Sequence, residues 1–361
     1  MLIAPTRTDL GWWFPESPVQ AIPSSQADQL SSFMTLGKTK PRPRKRRAMS
    51  SAVLETAPQP MLEVTQADYV RFRATHGSVG IESVELGLRG PYTIDSIGPP
   101  AEYKPERTTV WSFPDRGDWA THSGNYRGNW SPYIPRNLLL RYSAPGELVL
   151  DPMVGSGTTL TECRLLHRRG IGVDINRDAI MVTRDRLNFA LGSLDPDHVE
   201  PEIRTYVGDA RDLDEIHSDS VDLLATHPPY ASIVAYSGDR IAGDLSRIRS
   251  VSEFVDQMRA TAGEFFRVVR PGRHCAILMG DTRRHRHFVP ISVRVMQSFL
   301  EAGFVLREDI TKVQWKMKST RESWSGSKYD FLLLAHEHLY VFRKPAHGES
   351  ASVFRESSKW W

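Results

Sequence analysis

The sequence of 361 residues predicts an α/β fold built on a doubly wound, mostly parallel sheet. Two observations carry this prediction. From residue 147 onward, short apolar runs alternate with segments of helical spacing, and Gly and Pro residues mark the turns between them. The last two apolar runs follow one another without a helix between them, so they predict an antiparallel hairpin at one edge of the sheet.

The individual elements follow from these patterns. The seven predicted strands are short apolar runs at residues 147–151, 170–174, 203–207, 221–226, 274–279, 304–311 and 338–342. The four main predicted helices have apolar residues at helical spacing and cover residues 158–169, 178–191, 253–269 and 289–302. Three of these helices are expected to end at glycine or Pro-Gly signals, at Gly170, Pro271-Gly272 and Gly303. The order of elements is Rossmann-like.

Composition limits the function classes. With 40% hydrophobic and 25% charged residues, the chain is expected to bury one large core, a catalytic domain with an extension. The sequence has no apolar stretch long enough for a membrane span and no secretory signal, so we expect a cytoplasmic protein. Cys163 and Cys275 lie in apolar contexts far apart, which argues against a disulfide framework or a zinc site.

The first 120 residues are irregular. Residues 1–60 are rich in Pro, Ser and Gln, and we expect them to be largely disordered. Seven Lys and Arg residues lie within 38–47; a solvated tail is the favoured interpretation, and an arm that binds nucleic acid is the alternative. Residues 61–120 predict a small accessory region.

A glycine-rich turn follows the first predicted strand, where residues 151–159 read DPMVGSGTT. Ligands of open α/β sheets bind at the carboxyl ends of the strands. Gly155 and Gly157 allow close approach to the backbone, and the helix that begins at Thr158 offers free amide hydrogens. The spacing fits neither a P-loop nor a dinucleotide turn. Asp151 at the strand tip favours a cationic ligand, such as one with an amino group and a sulfonium.

Two further carboxylates predict an adenosine site at the same edge. Asp174 ends the second strand, where an acidic side chain can accept hydrogen bonds from both ribose hydroxyls. Asp209 follows the third strand and is a candidate for the exocyclic amine of adenine. For an isolated Asp at a strand end, capping the next helix is the more frequent role, but three carboxylates along one edge favour binding.

The segment after the fourth strand carries the chemistry, because residues 226–230 read THPPY. Pro228 and Pro229 remove two amide donors and fix the directions of the backbone carbonyls. The Pro228 carbonyl and the His227 side chain can then accept hydrogen bonds from a planar amine, while Tyr230 stacks on its ring. Taken alone, such a segment is more often a rigid loop with a packed tyrosine.

Together the two motifs resemble the N4-cytosine and N6-adenine DNA amino-methyltransferase family, over residues 122–344. The resemblance implies a methyltransferase domain at 121–345, a C-terminal tail at 346–361, and S-adenosylmethionine as the cofactor. It places cofactor binding on the first motif, with Asp151, Gly155, Gly157 and Thr158. Pro152 in the same motif, and Asp174 and Asp209 from their strand-end positions, complete the predicted cofactor set. It places amine binding on His227, Pro228, Pro229 and Tyr230. The segment 130–142 resembles the region that closes over the methionine end, so Asn137 joins the predicted cofactor site.

One residue departs from the family pattern. The family usually has Asp, Asn or Ser before the two prolines, and this chain has His227. A protonated imidazole accepts no hydrogen bond, so activity is expected to fall at the usual pKa of histidine if His227 is the acceptor. The form THPPY is more similar to the cytosine-N4 enzymes than to the adenine-N6 enzymes.

The expected partner is DNA, with a target base flipped out of the duplex. Basic residues ahead of the core and after the fifth strand, the latter on the ligand edge, are candidates for nucleic-acid contacts: Arg116, Arg127, Arg283, Arg284 and Arg286. Sequence recognition is expected from the N-terminal extension, from loops or from a partner subunit. Methylation of an RNA base amine such as guanine N2, and a non-catalytic supporting subunit, are the two alternatives.

Overall fold

The computed structural model describes residues 60–81, 84–196, 199–229, 241–315 and 330–358. The predicted tail at 1–60 lies outside this range except for its last residue, and so does Tyr230. Among the described residues, no helix is long and apolar enough to cross a membrane.

Thirteen strands and seven α-helices make up the described chain. The strands are β1 (Leu62–Glu63), β2 (Ser78–Ile81), β3 (Val84–Gly87), β4 (Val110–Ser112), β5 (Leu148–Asp151), β6 (Arg169–Asp174), β7 (Ile203–Val207), β8 (Val221–Thr226), β9 (Val269–Met279), β10 (Thr282–Arg284), β11 (His287–Val289), β12 (Val305–Val313) and β13 (His336–Arg343). The helices are α1 (Gln66–Arg73), α2 (Tyr133–Tyr142), α3 (Thr158–Leu165), α4 (Arg177–Arg186), α5 (Val251–Val268), α6 (Ile291–Glu301) and α7 (Arg355–Ser358).

Nine strands form one sheet in the order β1-β7-β6-β5-β8-β9-β13-β12-β4. The five strands from β7 to β9 run parallel to one another, whereas β13 is antiparallel to both β9 and β12. The strand order reverses between β5 and β8, which is the topological switch point of the sheet. The carboxyl ends of β5, β6, β7, β8 and β9 therefore share one edge, where such folds bind ligands.

The predicted doubly wound fold is confirmed. All seven predicted strands are present, and two short strands from the region before the core add one strand to each side, as β1 pairs with β7 and β4 pairs with β12. Three predicted helix ends were wrong. Helix α3 stops at Leu165, so Gly170 lies inside β6, and α4 stops at Arg186 rather than at Leu191. Pro271-Gly272 does not end helix α5, because α5 stops at Val268 and the Pro-Gly pair lies inside β9.

Helices cover both faces of the sheet. On one face α5 and α6 pack through Phe254, Phe265 and Phe299, all fully buried. On the other face α2, α3 and α4 pack against the opposite side chains of the same strands. Strand β8 is buried at every position because it lies at the centre of both layers. Burial on both faces explains the apolar run of Leu223, Leu224 and Ala225 within it.

Candidate functional site

The backbone of the turn between β5 and α3 is held by hydrogen bonds to two side chains. Gly155 and Gly157 have φ angles of +54° and +81°, which favour glycine. The Gly155 amide donates to Asp174 Oδ2 at 2.9 Å, and its carbonyl accepts from Thr183 Oγ1 at 2.9 Å. A Cβ on Gly157 would lie 2.8 Å from Thr183 Cγ2. The turn is therefore fixed in a shape that only glycines permit.

Asp151 lies at the tip of β5, and its side chain is buried. Its Oδ1 accepts hydrogen bonds from Thr226 Oγ1 at 2.7 Å and from the Met153 amide at 3.2 Å, and its Oδ2 accepts one from Thr159 Oγ1. Burial nevertheless raises the pKa of Asp151 to about 6 because two hydroxyls and an amide do not replace water fully.

Asp174 ends β6 beside this turn. Its carboxylate accepts from the amides of Gly155 and Asn176, at 2.9 and 2.8 Å. Desolvation dominates over these bonds and raises the pKa of Asp174 to about 7. Two carboxylates thus stand at adjacent strand ends, and neither is paired with a cationic side chain in the part of the chain that the structure describes. A positively charged ligand would favour their ionised forms.

Two more aspartates line the same space. Asp209 is clamped by the guanidinium of Arg211, whose Nε lies 2.9 Å from Oδ1. Asp244 is buried; its Oδ1 caps a short helical turn by accepting from the Ser246 amide at 2.8 Å. Its Oδ2 is buried and has no hydrogen-bond partner among the described residues. Sequence reasoning missed Asp244, although the dipeptide Gly243-Asp244 repeats the Gly-Asp signal that identified Asp209.

His227 follows β8 directly. Its ring lies over Trp130, with centroids 6.0 Å apart and planes inclined by 19°. Burial lowers the pKa of His227 to about 4, despite a hydrogen bond with the backbone of Gly128 that acts in the opposite direction. The imidazole is therefore neutral at pH 7. The loss of activity that the sequence predicts near the usual pKa of histidine is therefore expected at a much lower pH.

These groups enclose one cavity of about 850 Å³, counting its open mouth. Its walls combine the turn after β5, the ends of β6 and β7, and the segment after β8. From the predicted site, the structure brings together Asp151, Pro152, Gly155, Thr158, Asp174, Asp209, His227 and Pro229. Gly157 caps α3 just behind the wall, and Pro228 is buried beside it. Tyr126, Trp130 and Asp244 also line the cavity, so the aromatic pair adds to the predicted set.

Arg116 supports the rim of this cavity from behind. Its guanidinium donates to the carbonyls of Asn129 and Trp130, at 3.2 and 2.7 Å, and its burial lowers the pKa of the group to about 10. The predicted nucleic-acid contact at Arg116 is therefore corrected to a structural role. A second buried group, Glu162, ties the rim to α3, accepting from Trp119, His122 and Arg136.

Asn137 does not reach the cavity. It is buried in α2, where its Oδ1 accepts from the Glu106 amide at 2.8 Å. Its Nδ2 donates to the Tyr103 hydroxyl and to the Tyr133 carbonyl, at 2.6 and 2.7 Å. The predicted cofactor contact at Asn137 is corrected, because its amide instead holds the preceding segment against α2.

The remaining basic candidates lie on the surface. Arg283, Arg284 and Arg286 belong to the hairpin of β10 and β11, which is separated from the end of β9 by two residues. Arg127 is exposed next to the cavity-lining residues Tyr126 and Gly128. Their contacts with nucleic acid stay predictions.

The comparison with known families agrees with this geometry. Residues 40–185 match the family model described as DNA methylase, and this range contains the turn after β5 and Asp174. This segment is therefore similar to the N4-cytosine and N6-adenine DNA amino-methyltransferases. The segments 151–159 and 226–230 indicate the same family from the sequence alone.

Individual relatives match shorter parts of the chain. The Type II methyltransferase M.HpaI of Haemophilus parainfluenzae is 43% identical over 58 residues, 16% of this chain and 18% of that protein. M.SmaI of Serratia marcescens is 30% identical over 126 residues, 34% and 42% of the two chains. The tRNA (guanine(10)-N2)-dimethyltransferase of Methanothermobacter thermautotrophicus is 32% identical over 118 residues, 32% of each chain. Each match spans less than half the length of the relative.

The cofactor of this methyltransferase family is S-adenosylmethionine, and the hydrogen-bond acceptors of the cavity fit it. The ligand combines a sulfonium and an amino group with two ribose hydroxyls. The cavity offers carboxylates with raised pKa values at Asp151 and Asp174, and the buried Oδ2 of Asp244 as a further acceptor. Within the described ranges, no group of three or more His, Cys, Asp or Glu residues is arranged to hold a metal ion.

Proposed function

We propose that this chain transfers a methyl group from S-adenosylmethionine to the exocyclic amine of a base in DNA. The observation that carries the proposal is that His227 and Pro229 line the same cavity as Asp151, Gly155 and Asp174. A loop suited to an amine and a turn suited to a cationic adenosine ligand thus face one space. A fixed approach of the two reactants is the main source of catalysis in such a transfer.

The cofactor roles follow from the acceptors in the cavity. Asp174 would accept from the ribose hydroxyls, and Gly155 allows the ligand to approach the turn closely. Asp209, held by Arg211, would receive the adenine amine. We add Asp244 to this set, because its buried Oδ2 has no donor among the described residues and faces a cavity that this ligand would fill. When bound, S-adenosylmethionine supplies an electrophilic methyl group on a cationic sulfur.

The amine roles fall on the segment after β8. A neutral His227 has one ring nitrogen that can accept a hydrogen bond from the target NH₂ group, and the Pro228 carbonyl would accept a second one. Both bonds would localise the nitrogen lone pair, which conjugation with the ring otherwise withdraws. With a pKa of about 4, His227 acts as a hydrogen-bond acceptor and not as a store for the released proton. Tyr230 is proposed to stack on the flipped base.

We propose N4 of cytosine ahead of N6 of adenine as the target, because THPPY is more similar to the cytosine enzymes. The methyltransferase domain is proposed to span 121–345, with DNA contacts at Arg127 and on the hairpin of β10 and β11. Sequence recognition by a partner subunit stays open to test by copurification.

A base amine in RNA is the second candidate. The similarity to a tRNA (guanine(10)-N2)-dimethyltransferase supports it, since guanine N2 is also an exocyclic amine conjugated to a ring. The same cavity and the same segment would serve either substrate. The choice between them therefore depends on surfaces outside the cavity.

Methyl transfer to each nucleic acid tests the proposal. The full chain is incubated with labelled S-adenosylmethionine and either unmethylated DNA or total RNA, and the products are digested to nucleosides. N4-methylcytosine or N6-methyladenine in DNA is the expected result. Label in RNA alone supports the second candidate. Absence of label in both substrates, with cofactor binding retained, contradicts both. The Tyr230→Ala variant is the control, because it should keep cofactor binding and lose transfer.

A further inference from the structure

The hairpin of β10 and β11 has an unfavourable turn. Thr282, Arg283 and Arg284 pair with Val289, Phe288 and His287, so His285 and Arg286 form a two-residue loop. Both loop residues have positive φ angles, +50° and +70°. Two-residue hairpin loops of this kind strongly prefer Asn-Gly or Asp-Gly, because side chains beyond Cβ are strained there. The sequence instead places two large cationic or titratable side chains at the tip.

The base of the hairpin is firmly anchored. Asp281, just before β10, accepts from the amide and the hydroxyl of Ser292 at the start of α6, both at 2.8 Å. The Arg284 guanidinium donates to the Arg249 carbonyl at 2.7 Å. Arg283 donates to the Leu332 carbonyl at 3.1 Å and lies over the ring of Phe331, 5.1 Å from its centroid. These two arginines therefore hold the hairpin in one orientation.

At the tip, among the described residues, the side chains of His285 and Arg286 donate no hydrogen bond to a protein carbonyl. The Arg286 guanidinium has an ion pair with Asp330 at 3.4 Å, and both side chains are largely exposed, at 60% and 76%. Water and salt screen an exposed pair of this length, so a phosphate can compete for the guanidinium. His285 and Phe288 are exposed beside it.

The position of the hairpin relates it to the cavity. Two residues separate it from the carboxyl end of β9. Strand β9 is the parallel neighbour of β8, which leads into His227. The hairpin and the proposed amine-binding segment thus project from the same edge of the sheet. A duplex that presents a base to His227 must pass along this edge.

We infer that the hairpin tip, through His285 and Arg286, contacts the DNA duplex beside the target base, with Arg286 on a backbone phosphate. Arg283 and Arg284 are positioning residues that aim the tip. This inference rests on the proposed function and divides the basic cluster into one contact and two supports. The strained turn is then retained because the favourable Asn-Gly sequence would remove both contacting side chains.

The turn itself supplies the experiment. The double variant His285→Asn/Arg286→Gly installs the preferred loop, so its melting temperature should equal or exceed that of the parent chain. Its affinity for duplex DNA should fall by ~10-fold, and the slope of log K against log salt should become shallower by about 0.9 for the lost phosphate contact. Arg286→Gln should reproduce the shallower slope.

Two further variants complete the design. Arg307→Gln removes the same charge at the start of β12, at the opposite edge of the sheet, and should leave DNA affinity unchanged. Arg284→Gln should weaken binding while it keeps the salt slope, because its guanidinium is engaged by the Arg249 carbonyl. A double variant that is stable and binds DNA like the parent chain overturns the inference but leaves the proposed methylation intact. A parent chain that neither binds nor methylates DNA overturns both.

Discussion

The Thr226 hydroxyl donates a 2.7 Å hydrogen bond to Asp151 Oδ1, in a buried position between the ends of β8 and β5. Thr226 immediately precedes His227, and Asp151 begins the glycine turn. This bond therefore joins the segment proposed to hold the amine to the turn proposed to hold the cofactor. Any shift of one segment is transmitted to the other through a single carboxylate.

Removing this hydroxyl should disturb both segments. In Thr226→Val, the buried carboxylate of Asp151 loses one donor, which should cost about 1–3 kcal/mol of unfolding free energy. Urea unfolding measures that cost, and calorimetry should show weaker cofactor binding. Thr226→Ser keeps the hydroxyl and serves as the control. Equal stability of the Val and Ser variants would contradict the role given to this bond.

The transfer rate should be insensitive to mild acid. Because burial lowers the pKa of His227 to about 4, its acceptor nitrogen stays unprotonated from pH 8 to about 5.5. Single-turnover rates at saturating cofactor should be constant across this interval and decline only near pH 4. His227→Asn, which retains a side-chain acceptor, provides the comparison. A tenfold decline centred near pH 6.5 in the parent chain alone would contradict the lowered pKa.

Cofactor affinity, unlike the transfer rate, should depend on pH within this interval. The raised pKa values of Asp151 and Asp174, about 6 and 7, mean that these carboxyls become protonated as the pH falls below neutral. A cationic ligand favours the ionised forms, so the Kd of S-adenosylmethionine should increase by ~10-fold or more from pH 8 to 5.5. S-adenosylhomocysteine lacks the sulfonium charge and should show a smaller change. Titration calorimetry of both ligands checks the difference, and parallel pH profiles would argue against it.

Asp244 should contribute to cofactor binding without supporting the fold. Asp244→Asn retains the oxygen that caps the Ser246 amide, so the melting temperature should change little. The amide group that replaces Oδ2 no longer accepts a hydrogen bond, and cofactor affinity should fall by ~10-fold. Asp244→Ala removes the cap as well and should lower the melting temperature. An unchanged Kd in the Asn variant would remove Asp244 from the site.

Arg116 should affect the cofactor and not the salt dependence of DNA binding. Arg116→Gln loses the two bonds to the carbonyls of Asn129 and Trp130, so the rim shifts and cofactor binding weakens. The slope of DNA affinity against salt should stay as in the parent chain, because the buried guanidinium is not available to a phosphate. Arg127→Gln, on the exposed neighbouring segment, should show the reverse pattern. Filter-binding assays over a salt series separate the two.

Local pattern was sufficient for the central strands of the fold. Strands β7 and β8 have the predicted bounds. In β8 every position is buried, and the apolar run of Leu223, Leu224 and Ala225 marks the strand in the sequence. The end of α5 was missed because Pro271-Gly272 normally stops a helix, whereas here the pairing of Val269 with Val221 begins a strand before the Pro-Gly pair. Pairing between distant segments is not visible in a local pattern.

The site shows the same division. Asp151, Gly155 and Asp174 could be identified because their roles depend on strand ends, which the sequence marks. Asn137 was misassigned because its partners, Tyr103 and Glu106, come from a segment without regular pattern. Arg116 carries the same charge as an exposed arginine, and only its depth and its two carbonyl partners reveal its structural role.

The two outermost strands of the sheet affect how readily the protein associates with itself. β1 and β4 have two and three residues, and they shield β7 and β12, which are five and nine residues long. A long unshielded rim would expose rows of backbone amides and carbonyls that pair readily with another molecule. Residues 60–120, which hold both edge strands, thereby limit self-association. A chain trimmed to begin at residue 121 should aggregate, because it would lose both edge strands and the buried side chains of Tyr69 and Trp111.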